Sequence, residues 1–564
     1  MPGGEVLYNG IRLPEVWPPR TLDAQAGEAE PPPLPYLAAP PAVIPIDVGR
    51  QLFVDEFLVQ QTTLRRTVHQ PEKHAGNPVL RPQTPLELNG GDQPVACPFS
   101  DGVFYDSADG VFKMWYMAGW FDGTALAVSH DGIHWERPDL DVVPGTNRVL
   151  APRPGFRRDG TGLWLDHDAA DPSQRFKLLL YARSPTYGTG GHLLASPDGV
   201  HWEERVRGAG LDTVGDNSTL FYNPFRRRWV LSARRSTPAR GRLRYYREQA
   251  DFWRLGQWED AAGVPGSPDT LGASGAPGAH GEAGAHGEAG STGPADSPVF
   301  WIGADRLDPT DPQTGEATQL YKVDAVAYES IMLGAIQVHY GPHNDVCARG
   351  GFPKFTELQI GYSRDGFHWD RRDRDIFLGA SRQKGHHERG YIHSAGGVCL
   401  VVGDRLHFYY GAFSGLSPRH GGAMYAGGST NLATLRRDGF VSLDAGEDPG
   451  WLTTPLVTFS GAALFVNVDA PHGELRAEVL DAAGDVIAPF SLQHCAPVAV
   501  NATRVHVHWS GAPDIAALRG RPVRFRFRLA NGALYAFWVS PDGRGHSNGY
   551  VAAGGPGFTG PRDA

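Results

Sequence analysis

The chain has 564 residues, of which 41% are hydrophobic, a composition typical of a folded protein with more than one core. A net charge of −10 at pH 7 excludes the concentrated basic surface of a nucleic-acid-binding protein, so no nucleic-acid partner is expected. Four scattered cysteines, no apolar run of membrane-spanning length and no signal-peptide pattern predict a cytoplasmic protein without a membrane partner.

In chain order, the first 45 residues are rich in proline and predict an extended N-terminal arm. Further along, three segments share the pattern S-x-D-G-x-H-W, each after a run typical of a strand. Serine and aspartate side chains bond turn amides, and glycine allows a positive φ, so the pattern predicts β-hairpins whose aspartates are structural. The segments are Ser129–Trp135, Ser196–Trp202 and Ser363–Trp369.

A second feature, a hairpin that leads into an aromatic strand, recurs five times between residues 46 and 450. Another strand pair follows each copy, which gives about four strands per unit. This pattern predicts a five-bladed β-propeller over residues 46–450. A Gly/Ala/Pro-rich stretch at about 263–298, with GAHGEA in tandem, predicts a disordered insertion within it.

After Trp451 the residues alternate strictly between apolar and polar, as in RFRFRL, and turn signals separate the alternating runs. Residues 451–545 are therefore predicted to form a C-terminal β-sandwich, which makes the fold all-β. Residues 546–564 are predicted to be a flexible tail.

Several segments carry a family resemblance: LFVDEFLV, RRTVHQPEKHAGNPVL, the D-G-x-H-W turns, DPSQRFK and YNPFRRRWV. With them the chain resembles the furanosidase-type glycoside hydrolases of families 32, 43, 62 and 68, and most closely bacterial proteins labelled "glycosyl hydrolase family 32-like". The resemblance implies a carbohydrate substrate. Arg158-Asp159 resembles the Arg-Asp of the family 32 RDP motif, whereas the WMNDPNG box and the Glu-Cys acid motif are absent.

Glycosidases use two carboxyl groups that flank the scissile bond. The segment DGTGLWLD aligns without gaps on DNSTLFYN, which makes Asp159 and Asp216 equivalent residues at the starts of adjacent first strands. In a propeller these strands line the central channel, so both acids are predicted to be catalytic. Glu329 and Glu388, which lie near first strands of later blades, are further catalytic candidates.

Five other residues are predicted to bind substrate: Arg158, Asp92, Asp324, His386 and Tyr391. In blade one the position equivalent to Asp159 falls at Pro98 or Phe99, which are not acids. No His or Cys spacing matches a strong metal motif, so neither a metal nor a cofactor is expected.

The leading hypothesis is a glycoside hydrolase that cleaves a furanoside or small oligosaccharide with paired carboxylates in the propeller channel. A glycan phosphorylase is an alternative, with Arg158, His386 and Arg389 as phosphate ligands. Two non-enzymatic alternatives are a carbohydrate-binding propeller without a catalytic carboxyl pair and a structural propeller with an apolar channel.

Overall fold

The computed structural model describes residues 4–24, 30–185, 188–207, 209–258 and 297–564. The predicted insertion at about 263–298 lies outside these residues, except for its last two. Regular structure in the described part is nearly all strand, so the all-β prediction is confirmed. No described helix is long and apolar enough to cross a membrane. The α-helices are α1 (Pro35–Ala38), α2 (Pro85–Leu88) and α3 (Asn344–Gly350), and single 3₁₀ turns span Asn89–Gly91, Pro172–Gln174, Ala209–Thr213, Phe252–Gly256 and Ala516–Leu518.

The strands fall into three groups along the chain. The first group is β1 (Ile44–Pro45), β2 (Gln51–Leu52), β3 (Gln61–Thr62), β4 (Arg65–Val68) and β5 (Glu72–Lys73). The second is β6 (Val95–Asp106), β7 (Val111–Ala118), β8 (Gly123–Ser129), β9 (Arg157–Leu165), β10 (Phe176–Ser184), β11 (Gly188–Ser196), β12 (Glu203–Arg207), β13 (Thr219–Asn223), β14 (Arg228–Thr237), β15 (Gly241–Gln249), β16 (Val299–Ile302), β17 (Gln319–Glu329), β18 (Ile331–His339), β19 (Thr356–Ser363), β20 (Gly390–Ser394), β21 (Leu400–Val402), β22 (Arg405–Phe413) and β23 (Gly428–Arg436). The third is β24 (Val441–Ala445), β25 (Gly450–Thr453), β26 (Val457–Thr458), β27 (Ala463–Asp469), β28 (Glu474–Leu480), β29 (Asn501–His506), β30 (Arg524–Ala530), β31 (Gly532–Ser540) and β32 (Tyr550–Val551).

Hydrogen bonding divides the propeller strands into consecutive antiparallel units. The units are β6–β8, β9–β12, β13–β16, β17–β19 with β32, and β20–β23 with β5. Neighbouring first strands pack side by side, β6 on β9, β9 on β13 and β13 on β17. Strand β23 pairs in parallel with β6, which joins the last unit to the first. We interpret each unit as one blade, so the count of five blades is our interpretation of the strand pairing.

The three D-G-x-H-W segments form the hairpin turns that the sequence predicts. Asp365 Oδ1 accepts hydrogen bonds from the Phe367 and His368 amides at 2.9 and 2.8 Å, and Asp365 Oδ2 lies 2.7 Å from His368 Nδ1. Asp131 and Asp198 make the same set of bonds in their own turns. The structural role predicted for these aspartates is therefore confirmed.

Two further sheets enclose a second core near the C-terminus. One contains β29, β27, β31, β24, β4 and β2, and the other contains β28, β30, β25 and β3. Apolar side chains from both sheets meet between them, as where the rings of Phe527 and Phe537 lie 5.5 Å apart. Because β2, β3, β4 and β24 come from outside residues 451–545, these sheets include more of the chain than the predicted sandwich. The predicted domain bounds stay a prediction.

Both chain ends pack against the rest of the protein. Tyr36 and Ile44, in the expected arm, belong to the second core, where burial of their apolar surface holds this segment. In the expected tail, Ala552 N donates to Ala327 O, Ala553 N donates to Cys399 O, and Tyr105 N donates to Ala553 O. We call residues 550–555 the C-terminal latch, because this segment forms hydrogen bonds with the first, fourth and fifth units near the ends of their first strands.

Candidate functional site

The starts of the first strands meet at the end of the ring opposite the C-terminal latch. Asp159 lies on β9, and Asp216 lies just before β13 in the next unit. A single guanidinium joins them, because Arg183 Nη2 lies 2.7 Å from Asp159 Oδ2 and 3.4 Å from Asp216 Oδ2. These two oxygens are therefore no farther apart than the sum of the two distances. The two acids that the repeat alignment paired therefore lie close together, and their catalytic role stays a prediction.

The two carboxylates differ in their surroundings. Asp159 is buried with 1% of its surface exposed, whereas 21% of the Asp216 side chain is exposed. Arg234 Nη2 lies 2.8 Å from Asp216 Oδ1. Burial raises the pKa of Asp216, but the charges of Arg234 and Arg183 lower it by more, so its pKa lies below the usual value. Asp216 is consequently an ionised carboxylate at neutral pH.

Stacked aromatic rings adjoin the carboxylate pair. Trp120 stacks on Tyr425 with centroids 4.1 Å apart and on Phe121 with centroids 4.5 Å apart. The Arg183 guanidinium lies 5.9 Å from the centre of the Phe121 ring, which connects this stack to the two acids. Trp120 is buried between its neighbours in this stack, whereas Phe121 and Tyr425 are half-buried and are the rings available to the face of a sugar. A cavity of about 610 Å³ opens beside the stack and is lined in part by Trp120, Phe121, Arg158 and Asp92.

Further in, the channel is filled by buried ion pairs. Arg158 Nη1 lies 2.9 Å from Asp101 Oδ1, and Lys322 Nζ lies 3.0 Å from Asp324 Oδ2. Ser394 Oγ donates to the same Asp324 oxygen at 2.6 Å. These charges are paired with one another, as buried charges normally are. The channel interior is therefore polar, in contrast to the apolar channel of the structural-propeller alternative.

Asp101 is a buried acid of the first blade that the sequence analysis did not single out. Asp106 and Asp166 cap the turns that follow β6 and β9, and counting back from them makes Asp101 the equivalent of Thr161. The Thr161 hydroxyl donates to Asp101 Oδ1. The placement of the Asp159 equivalent at Pro98 or Phe99 is therefore not overturned by Asp101.

Two predicted catalytic residues lie away from the carboxylate pair. Glu329 ends β17, eight residues beyond Tyr321, which at about 3.3 Å per residue places it roughly 26 Å along the strand. It accepts hydrogen bonds from Arg437 Nη2 at 2.9 Å and Ser547 Oγ at 2.7 Å, next to the C-terminal latch. Glu388 is bound by Lys73 Nζ at 2.8 Å and by the Tyr410 hydroxyl. The structure does not bring either residue to Asp159.

The predicted substrate-binding residues also differ in whether the structure places them at the candidate site. Tyr391 lies in the site, with its hydroxyl 3.0 Å from the Tyr321 hydroxyl. Asp92 lines the cavity but is paired with Arg419 at 3.0 Å. His386 lies beside Glu388, away from the carboxylate pair, and its ring stacks on His387 with centroids 4.6 Å apart.

Among the described residues, His386, His387 and Glu388 have potential metal-ligand atoms within 4.8 Å of one another. Both carboxylate oxygens of Glu388 already accept hydrogen bonds, from Lys73 and Tyr410, and these donors compete with a cation. This set therefore fits a hydrogen-bonded cluster better than a metal site.

The sequence analysis missed the cations around the acids. Arg183 and Arg234 lie near the ends of β10 and β14, where nothing in the sequence distinguishes a channel-lining arginine from one on the strand surface. Lys354 precedes β19, and its Nζ donates to the Tyr321 hydroxyl at 3.0 Å. No local pattern marks these positions, because each arginine meets its partner across neighbouring strands, and Arg183 also reaches Asp216 in the next unit.

Comparison with known proteins gives structural likenesses only. No family model and no curated protein matches the chain. The β-fructofuranosidase of family GH32 from Bombyx mori is 11% identical, with 84% of this chain and 95% of that chain covered and a TM-score of 0.35. A family 43 arabinoxylan arabinofuranohydrolase from Bacillus subtilis is 10% identical, with 83% and 98% covered and a TM-score of 0.34. A β-1,2-mannobiose phosphorylase from Listeria innocua is 11% identical, with 65% and 97% covered and a TM-score of 0.39. Likeness at this level supports no conclusion about activity.

Proposed function

We propose that the protein is a glycoside hydrolase and that Asp159 and Asp216 are its catalytic carboxyl groups. The observation that carries the proposal is the convergence of these two acids on Arg183, beside the stacked rings of Trp120 and Tyr425. A carboxyl pair is what glycosidic bond cleavage requires, and aromatic rings beside the pair suit the face of a sugar. The substrate is a furanoside or a small oligosaccharide, in keeping with the family resemblance.

The two acids take different roles in this scheme. Asp216 is ionised and partly exposed, so it serves as the nucleophile at the anomeric carbon. Asp159, the more buried acid, donates a proton to the leaving oxygen and later removes one from the incoming water. Because both acids contact Arg183, the nearest oxygens of Asp159 and Asp216 are closer together than the roughly 6.5–9.5 Å typical of inverting carboxyl pairs. This separation favours retention of configuration.

Hydrolysis of a panel of aryl furanosides, aryl pyranosides and oligosaccharides tests the proposal. We expect Asp216→Asn to abolish sugar release from every substrate that the wild type cleaves. Asp159→Asn should lose about 10²–10⁴-fold in kcat/KM on oligosaccharides but little in kcat/KM on dinitrophenyl glycosides, because kcat/KM reports the first step and their leaving group needs no proton. Only the proton donor gives this dependence on the leaving group.

Asp166→Asn is the matched control. Asp166 is the repeat equivalent of Asn223 and caps the turn at the opposite end of β9, where its Oδ1 accepts from Asp168 N at 3.1 Å. This variant should cleave at the wild-type rate. Wild-type rates in both Asp159→Asn and Asp216→Asn would refute the proposal. Sugar binding without any cleavage by the wild type would favour the carbohydrate-binding propeller instead.

A further inference from the structure

Two cations next to the carboxylate pair have no acidic partner within the described part of the chain. Lys354 is 1% exposed, and its Nζ donates only to the Tyr321 hydroxyl and, at 3.1 Å, to Asn344 Oδ1. Arg242 is half-buried, and its Nη1 donates to Gln319 Oε1 at 2.8 Å. Both are therefore held by neutral groups. A buried charge without a counter-ion is costly, which makes this pair unusual.

Lys354 and Arg242 both lie against the ring of Tyr321, close to Asp216. The Lys354 ammonium lies 5.0 Å and the Arg242 guanidinium 5.2 Å from the centre of the Tyr321 ring. Their charges also lower the pKa of Asp216, after the larger effects of burial, Arg234 and Arg183. Since the Asp216 carboxylate already pairs with Arg183 and Arg234, it does not neutralise the two cations. Positive charge therefore remains in excess on this side of the site.

Two histidines with unused ring nitrogens complete this environment. His339 is stacked on Tyr321 with centroids 5.6 Å apart, and its Nε2 has no hydrogen-bond partner. His393 is fully buried, its ring lies 4.3 Å from Tyr391, and neither of its nitrogens has a partner. Buried polar groups are normally hydrogen-bonded, and these ring nitrogens, beside two cations without an acidic partner among the described residues, are available to a ligand. Burial and the neighbouring positive charges hold the pKa of both histidines far below the usual value.

The geometry points to an oxyanion subsite formed by Lys354, Arg242 and His339, beside the proposed catalytic pair. Its ligand is a carboxylate or phosphate group, which accepts charge-assisted hydrogen bonds from the ammonium and the guanidinium. The group is either a substituent of the sugar, as in a uronic acid, or free inorganic phosphate that attacks the anomeric carbon in place of water. In the second case Asp216 first displaces the leaving oxygen, which Asp159 protonates, and phosphate then attacks the anomeric carbon, so that its new C–O bond forms as the C–O bond to Asp216 breaks and the Asp216 carboxylate is released. The inference rests on the proposed function.

Binding measured by titration calorimetry tests the subsite without requiring turnover. The probes are inorganic phosphate, glucuronate and, as the uncharged comparison, glucose. We expect one of the two anions to bind to the wild type more tightly than glucose. Lys354→Met and Arg242→Gln should each weaken that binding about tenfold or more, because each removes a charge-assisted hydrogen bond. Arg65→Gln, which removes one charge from an exposed strand, should bind like the wild type.

The two sources of the anion give different results. Phosphate binding, together with release of a sugar phosphate only when phosphate is present, identifies free phosphate as the ligand. Glucuronate binding, with hydrolysis that needs no phosphate, identifies a substituent of the sugar. Failure of both anions to bind, or equal binding by the wild type and both variants, overturns the subsite. If Lys354→Met does not fold, the half-exposed Arg242→Gln carries the comparison. Anion binding without any cleavage would refute the proposed hydrolysis and leave the subsite standing.

Discussion

Replacing Glu329 with glutamine separates a structural role from a catalytic one. The side chain is fully buried, its Oε1 accepts from Arg437 Nη2, and its Oε2 accepts from Ser547 Oγ and from the Arg50 amide at 3.1 Å. Glutamine has the same shape but puts an NH₂ group against donors and removes the charge that faces two arginines. The variant should therefore be less stable than the wild type.

The magnitude follows from the partners that remain. Removing one member of a buried ion pair costs about 3–5 kcal/mol. Arg50 keeps Asp438 at 2.8 Å and Arg437 keeps Asp563 at 3.2 Å, so the lower end of that range, about 3 kcal/mol, is expected.

The assay is urea unfolding of Glu329→Gln beside the wild type, together with the cleavage rate per folded molecule. The urea midpoint should fall clearly, whereas the rate should stay within about twofold of the wild-type value, since Glu329 lies roughly 26 Å along the strand from Tyr321. Glu447→Gln, at an exposed position, is the control and should change neither quantity. An unchanged midpoint combined with a lost rate would show that Glu329 is catalytic and refute the assignment.

Three other predictions follow from groups already described. Arg183→Gln removes a charge that lowers the pKa of Asp216, so the pKa of Asp216 should rise. The ascending limb of the profile of kcat/KM against pH should then move to higher pH. An unmoved limb would contradict the role of Asp216 as the nucleophile. Asp365→Ala leaves the buried turn amides of Phe367 and His368 without an acceptor and should lower the free energy of unfolding by about 1–3 kcal/mol. The loss should be larger than that of Asp131→Ala, whose turn is exposed. Equal urea midpoints for the two variants would count against this prediction. All four cysteines are buried, and burial raises the pKa of each thiol, that of Cys347 to about 12. A thiol reagent should therefore label no cysteine in the native protein and all four in urea. Fast labelling of the native protein would show that a thiol is accessible.

The sequence was informative wherever the chemistry is local. The hairpin turns depend on a serine, an aspartate and a glycine within four residues, and the structure shows the bonds of the serine and the aspartate in all three turns. The repeat alignment also found Asp159 and Asp216, because equivalent positions of neighbouring units face the same axis. Local bonding and internal repetition are both visible in a single chain.

Long-range partners were not predictable in this way. Glu329 was a catalytic candidate because of its residue type and its place on a first strand, yet its partner Arg437 is 108 residues away. Lys354 and Arg242 likewise meet only because different units converge on Tyr321. The choice between a catalytic and a structural acid depends on such contacts, which neither spacing nor composition encodes.

The C-terminal latch also has a consequence for biosynthesis. Glu329 and Ser547, which bond to each other beside the latch, are 218 residues apart in the chain. At about 5–20 residues per second, a ribosome needs roughly 10–40 s to cover that distance. During this time the end of β17 on the nascent chain lacks its partner β32, and an unpaired strand edge promotes aggregation. The pairing of β23 with β6 can therefore close the ring before residues 550–551 are made, and the end of β17 is the part of the propeller that gains its partner last.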